Sequence, residues 1–133
     1  MKKLLPIFIT ALLLVGCAVP AEREVSYRQI TMDEAVAMME EEEGYIILDV
    51  CTAAEFDEKH IPGAINVPNE AIGAEVIPEL PDKDQLILVY CRSGNRSKQA
   101  SEKLMKLGYT NVVEFGGIID WPGETETNEG GPL

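Results

Sequence analysis

Basic residues are scarce in this sequence. Its 133 residues hold one histidine, one tryptophan and three cysteines, and 11 Lys and Arg stand against 23 Asp and Glu, a formal net charge of −12. So acidic a chain argues against nucleic-acid binding, which rests on neutralising phosphates with Lys and Arg. It argues equally against a polybasic attachment to anionic lipid. No apolar run reaches the roughly 20 residues that a bilayer-spanning helix needs. A single histidine, with no paired cysteine motif, argues against a bound metal. What remains is ordinary globular composition, 46% hydrophobic and 26% charged, at a length that suits one domain with one core and no internal repeat.

The N-terminus reads as an address. Lys2 and Lys3 precede an apolar run over residues 4–15, broken only by Pro6 and Thr10. A short cationic start before such a run marks a secretory signal peptide, here residues 1–16. The run ends in Leu14-Val15-Gly16-Cys17, which resembles a bacterial lipobox. That resemblance implies that the Cys17 thiol receives a lipid and becomes the new N-terminus, against the alternative of a plain signal peptide with a chance cysteine. Residues 17–26 then form a lipidated tether, and the expected location is the bacterial cell envelope, membrane-anchored outside the cytoplasm. Such compartments permit disulfides, which draws attention to Cys51 and Cys91.

Beyond the tether, strands alternate with helices. Residues 27–30 form a short first strand. Thr31 and Glu34 make a capping box for a helix whose apolar face is Met32, Ala35, Val36 and Met39, closed by Gly44. The acidic run 40–43 is a solvated or frayed end. Residues 45–50 and 85–90 are nearly continuous apolar runs, as in parallel strands covered on both faces. Thr52 and Glu55 cap a short helix, residues 64–67 form a minor strand, residues 69–84 hold a short helix and loop, and residues 97–107 a helix stopped by Gly108. Residues 111–115 complete an α/β domain over 27–123, with a mostly parallel five-stranded sheet and helices on both faces. Residues 124–133 read as a flexible tail. In such sheets ligands sit beyond the carboxyl ends of the strands, where Cys51 and Cys91 both fall.

Cys91-Arg92-Ser93-Gly94-Asn95-Arg96-Ser97 runs from a buried strand into a helix start. A helix N-terminus offers unpaired N–H groups and a positive dipole. Gly94 allows a tight loop whose amides form an anion nest. Arg92 and Arg96 add permanent positive charge. All three favour thiolate over thiol, so Cys91 is expected to be nucleophilic, with a depressed pKa. The inert alternative, a small buried hydrophobe, sits poorly in a polar loop with two arginines.

At these residues the chain resembles the rhodanese family, specifically its single-domain members. The active loop matches at residues 91–97. Asp49 followed by E-F-x-x-x-H-I-P-G-A-x-N-V-P matches at residues 55–68, and G-G-I-x-x-W matches Gly116, Gly117, Ile118 and Trp121. The resemblance implies a sulfurtransferase that cycles through a Cys91 persulfide, without metal or organic cofactor. Its partners would be a small anionic sulfur donor, typically thiosulfate, and a thiol or cyanide acceptor. Substrate binding would fall to the loop, Arg92, Ser93, Gly94, Asn95, Arg96 and Ser97. Cysteine-dependent phosphatases need five residues between Cys and Arg. Here four separate Cys91 from Arg96, and Ser97 holds the longer position. A non-catalytic or redox-relay module that binds an anion or partner thiol is the alternative from another class.

Many rhodaneses carry Arg where this chain has Cys51. Cys51 is therefore open to three readings: sulfur acceptor, disulfide partner of Cys91, or small packing residue. Asp49, at a central strand end, is a supporting residue that could orient the loop. His60 reads as a hydrogen-bonded turn support, and Trp121 as packing under the active edge. Oligomeric state is not legible.

Overall fold

The structure is a computed structural model and describes residues 26–73 and 76–128. The expected signal peptide, Cys17 and the tether up to residue 25 lie outside the described residues, as do residues 129–133. The elements in order are β1 (Arg28–Gln29), α1 (Met32–Glu41), β2 (Ile46–Asp49), α2 (Ala53–Glu58), β3 (Ile65–Asn66), β4 (Ile87–Cys91), α3 (Asn95–Lys106) and β5 (Val112–Gly117). Single 3-10 turns cover Asn69–Ala71 and Ile118–Asp120.

The strand order is β1-β5-β4-β2-β3, and every pairing between these strands is parallel. The expected α/β class and five strands are therefore met, with a sheet that is parallel throughout. Alternation along β4 sends Ile87, Val89 and Cys91 to one face and Leu88 and Tyr90 to the other. The first face packs against Ala100 and Leu104 of α3, the second against Ala35 of α1 and Ile61. All five residues of β4 are buried, which explains its unbroken apolar sequence.

The second expected capping box forms in full, whereas at the first only the Thr31 side chain caps the backbone and Glu34 meets the Thr31 hydroxyl instead of its amide. Thr31 accepts from the Glu34 amide, and Thr52 and Glu55 satisfy one another's backbones. Helix α1 stops at Glu41, three residues before Gly44, in the acidic run that opposes the helix dipole. Helix α3 begins at Asn95, two residues earlier than its apolar spacing implies, because Gly94 rather than a polar side chain caps it. The tail beyond Gly123 is anchored in part: Glu126 exchanges two 2.9 Å backbone bonds with His60, and the Asn128 amide donates to Asp57 O at 2.8 Å.

Candidate active site

Cys91 closes β4 and Asn95 opens α3, so Arg92, Ser93 and Gly94 alone turn the chain. Gly94 takes φ +103°, a left-handed conformation that L side chains resist. That turn aims the Gly94 amide at the thiol, where it donates to Cys91 Sγ at 3.0 Å. The tight loop between strand and helix is thus present, and its Gly94 amide is a donor to the sulfur. Cys91 itself is 0% exposed.

Ser97, on the first turn of α3 and fully buried, stands beside the sulfur. Its Oγ lies 3.5 Å from Sγ, 2.9 Å from Gly94 O and 2.7 Å from Glu114 Oε1. Glu114 was not among the residues that the sequence singled out. It occupies β5 on the same face as Val112, where an aliphatic side chain would ordinarily pack, and it is only 3% exposed. An acid in the middle of the buried run Val-Val-Glu-Phe was the signal that could have found it.

The β5 backbone is shaped to this site. Val89 pairs with Glu114 but Cys91 pairs with Gly117, so β5 carries one extra residue and bulges at Gly116, φ +103°. The bulge returns the Gly116 amide to Glu114 Oε1 at 2.9 Å. Gly117 then passes directly beneath Arg92, leaving no space for a β-carbon. Both glycines of the G-G-I element thereby acquire a physical reason.

The two arginines have different surroundings. Arg96 forks onto Glu55 of α2, at 2.6 and 2.8 Å, rather than bonding to the sulfur. This pair holds the Glu55 carboxyl down to about 2 and pushes the Arg96 guanidinium up. Arg96 still feels both thiols electrostatically. Its charge is shared with Glu55, which the sequence marks as a helix cap and as the first residue of the E-F-x-x-x-H match, not as a partner of Arg96. Arg92, Ser93 and Asn95 are exposed. Arg92 joins Cys51, Glu55, Glu58, Lys59, Ile118 and Ile119 around a pocket of about 120 Å³.

Strand β2 ends beside this pocket. Asp49 Oδ1 accepts from the Cys51 amide at 2.8 Å, while Oδ2 is buried with no hydrogen-bond partner. Burial raises the Asp49 carboxyl. The Cys51 thiol is pushed up too, first by burial and then by the Asp49 charge. Asp49 therefore supports the turn at Cys51 rather than the Cys91 loop. Asn66 Nδ2 reinforces it, donating to Cys51 O at 2.9 Å and Asp49 O at 3.1 Å. Cys51 and Cys91 follow neighbouring strands and share one core cluster, and both are free thiols. His60 stacks on Phe56, with Nδ1 2.7 Å from Phe56 O, in the expected supporting role. Trp121 packs on the second core face.

Comparison with known proteins places this geometry. Residues 31–123 match the family model of the rhodanese-like domain. The chain is 37% identical over 73 residues to the thiosulfate sulfurtransferase PspE of Escherichia coli, covering 55% of this chain and 70% of that protein. It is 41% identical over 80 residues to a sulfurtransferase of Allochromatium vinosum, covering 59% and 73%. Among solved structures, a rhodanese with anions from E. coli superposes with a TM-score of 0.57 at 32% identity, over 62% of this chain and 98% of the other.

Proposed function

The chain belongs to the rhodanese-like domain family, and from that membership and the Cys91 loop we propose a sulfurtransferase working through a persulfide on Cys91. The observation that carries the reading is the 3.0 Å bond from the Gly94 amide to Sγ, at the N-terminus of α3. A donor held there supports a thiolate as nucleophile and stays in place when the sulfur is loaded.

The reaction runs in two halves. The Cys91 thiolate attacks the outer sulfur of an anionic donor such as thiosulfate. As the new S–S bond forms, the donor's own S–S bond breaks and sulfite leaves with the electron pair. A thiol or cyanide acceptor then takes the outer sulfur and returns Cys91 as thiolate. The exposed Arg92 and the pocket it shares with Lys59 are the entry for an anion, on a surface otherwise rich in carboxylates. The test is thiosulfate:cyanide turnover together with the intact mass of the protein after exposure to thiosulfate. One added sulfur, lost in Cys91→Ser, is expected. Absence of uptake would leave only an anion- or thiol-binding module.

The location is a second proposal and rests on the sequence alone. A lipid on Cys17 would hold the domain at the cell envelope, and the cationic start and lipobox-like residues before Cys17 support it. Cys17→Ser should then move the protein from the membrane fraction to the soluble one, and an unchanged distribution would refute the anchor.

A further inference from the structure

Cys91 shares one hydroxyl with a buried carboxylate. Its thiol donates to Ser97 Oγ at 3.5 Å. Ser97 has a single proton to give, and Glu114 Oε1 at 2.7 Å competes for it with Gly94 O at 2.9 Å. The shorter, charge-assisted bond wins. With that proton committed to Glu114, every partner is satisfied while Cys91 keeps its own proton. Ionising Cys91 leaves two anions facing one hydroxyl proton in a site shielded from water, since Cys91 and Ser97 are 0% exposed and Glu114 3%.

We infer that Glu114, acting through Ser97, is a positioning residue that disfavours negative charge on Cys91 Sγ. It thereby opposes the return of Cys91 to a bare thiolate when sulfur is passed on. Ser97 from α3 and the Gly116 amide from β5 itself bond to Glu114, Cys91 from β4 lies beyond Ser97, and the Tyr27 phenol ahead of β1 feels the Glu114 charge. Arg96 of α3 interacts electrostatically with Cys91, but its fork is held by Glu55. The Gly94 amide pulls the other way, toward thiolate, so the two set a balance on one sulfur atom.

The loading half rests on the sulfurtransferase reading. Before attack the thiol proton passes to the solvent buffer, and the thiolate forms its bond to the donor's outer sulfur as sulfite departs. The charge that Sγ carried then sits on the outer sulfur, about 2 Å farther along the new S–S bond. Repulsion by Glu114 weakens with that distance. Unloading returns the charge to Sγ, so Glu114 opposes the departure of Cys91 as thiolate and slows transfer to the acceptor.

The experiment follows alkylation of Cys91 by iodoacetamide from about pH 5 to about pH 9, read by mass, in wild type, Glu114→Gln and Glu114→Leu. Gln keeps an oxygen for Ser97 and Gly116, and Leu suits the buried strand position; each removes the charge. The expected result is a midpoint lower by about one pH unit and a rate below that midpoint about threefold higher or more, the lower nucleophilicity of a more acidic thiol offsetting part of the gain. An unchanged or higher midpoint in a folded variant overturns the inference. Should neither variant fold, Glu114→Met, an uncharged side chain of similar length, is read in the same way, and an unchanged or higher midpoint again overturns the inference. Faster release of loaded sulfur to cyanide in Glu114→Gln is the matching result for the transfer half. If the wild type takes up no sulfur, the sulfurtransferase reading and that half fall together, while the alkylation profile still decides the rest.

Discussion

A β-carbon built on Gly117 would stand 2.2 Å from the Arg92 carbonyl oxygen and 2.7 Å from Ser93 Cα. Both contacts are with backbone, so no side-chain rotation can relieve them. Gly117→Ala must push the Cys91 loop away from β5 and detach the Gly94 amide from Sγ. The expected outcome is a loss of about 2–4 kcal/mol of stability, measured by urea unfolding, together with loss of sulfur uptake. Gly73→Ala is the control, because nothing lies within 4 Å of its added carbon and its φ is ordinary. It should be neutral or slightly stabilising.

The two cysteines should separate under a small alkylating reagent. Cys51 is disfavoured as a nucleophile by burial and by the neighbouring Asp49 carboxylate. Cys91 has the Gly94 amide on its sulfur. Near neutral pH, peptide mapping should find the label on Cys91 first, by about tenfold or more in rate. Cys51→Ala should leave sulfur loading and oxidant sensitivity close to wild type, with only the modest stability cost of a small buried cavity. A fall in turnover to the level of Cys91→Ser would instead assign Cys51 a chemical role.

Much of this arrangement was legible in the sequence, for reasons that also explain what was hidden. Period-two burial and the Thr31 and Thr52 caps are local signals, so the helices and central strands follow from short windows. Cys91 at a strand end before a helix carried the chemistry by position alone. The Arg96–Glu55 fork and the Ser97–Glu114 bond each join residues distant in sequence, across α3 and α2 or α3 and β5. No spacing rule announces such pairs. Glu114 was hidden further by the β5 bulge, which alters register in a way that the pattern Val-Val-Glu-Phe-Gly-Gly does not reveal.

Acidification should test the fork. Glu55 titrates in the fold at about 2, below its ordinary 4.5. The stability it adds is therefore fully present above about pH 4.5 and is lost as pH falls toward 2. Asp49 has the opposite sign: burial raises its carboxyl, so its protonation on acidification favours the fold. Glu55→Gln should cost on the order of 1 kcal/mol at pH near 7, allowing for a partly solvated pair, and the difference from wild type should shrink at pH near 3. A gap that stays constant across that range would mean that the charge of Glu55 is not what it contributes.

The family match ends at residue 123, yet the bridge between His60 and Glu126 and the bond from Asn128 to Asp57 lie beyond or across that boundary. Trp121 Nε1 also donates to Glu124 O at 3.0 Å. The bonds of Glu126 and Asn128 tie the tail to α2 and the turn after it, the segment that carries Glu55. Deleting residues 124–133 removes four such bonds from partly solvated positions, each worth about 0.5–1.5 kcal/mol at most. A fall in Tm of about 5–10 °C by calorimetry is expected. Because α2 anchors the Arg96 fork, sulfur uptake should weaken with it. An unchanged Tm would show that the tail is as loose as its composition implies and that α2 is held by its own cap and the core.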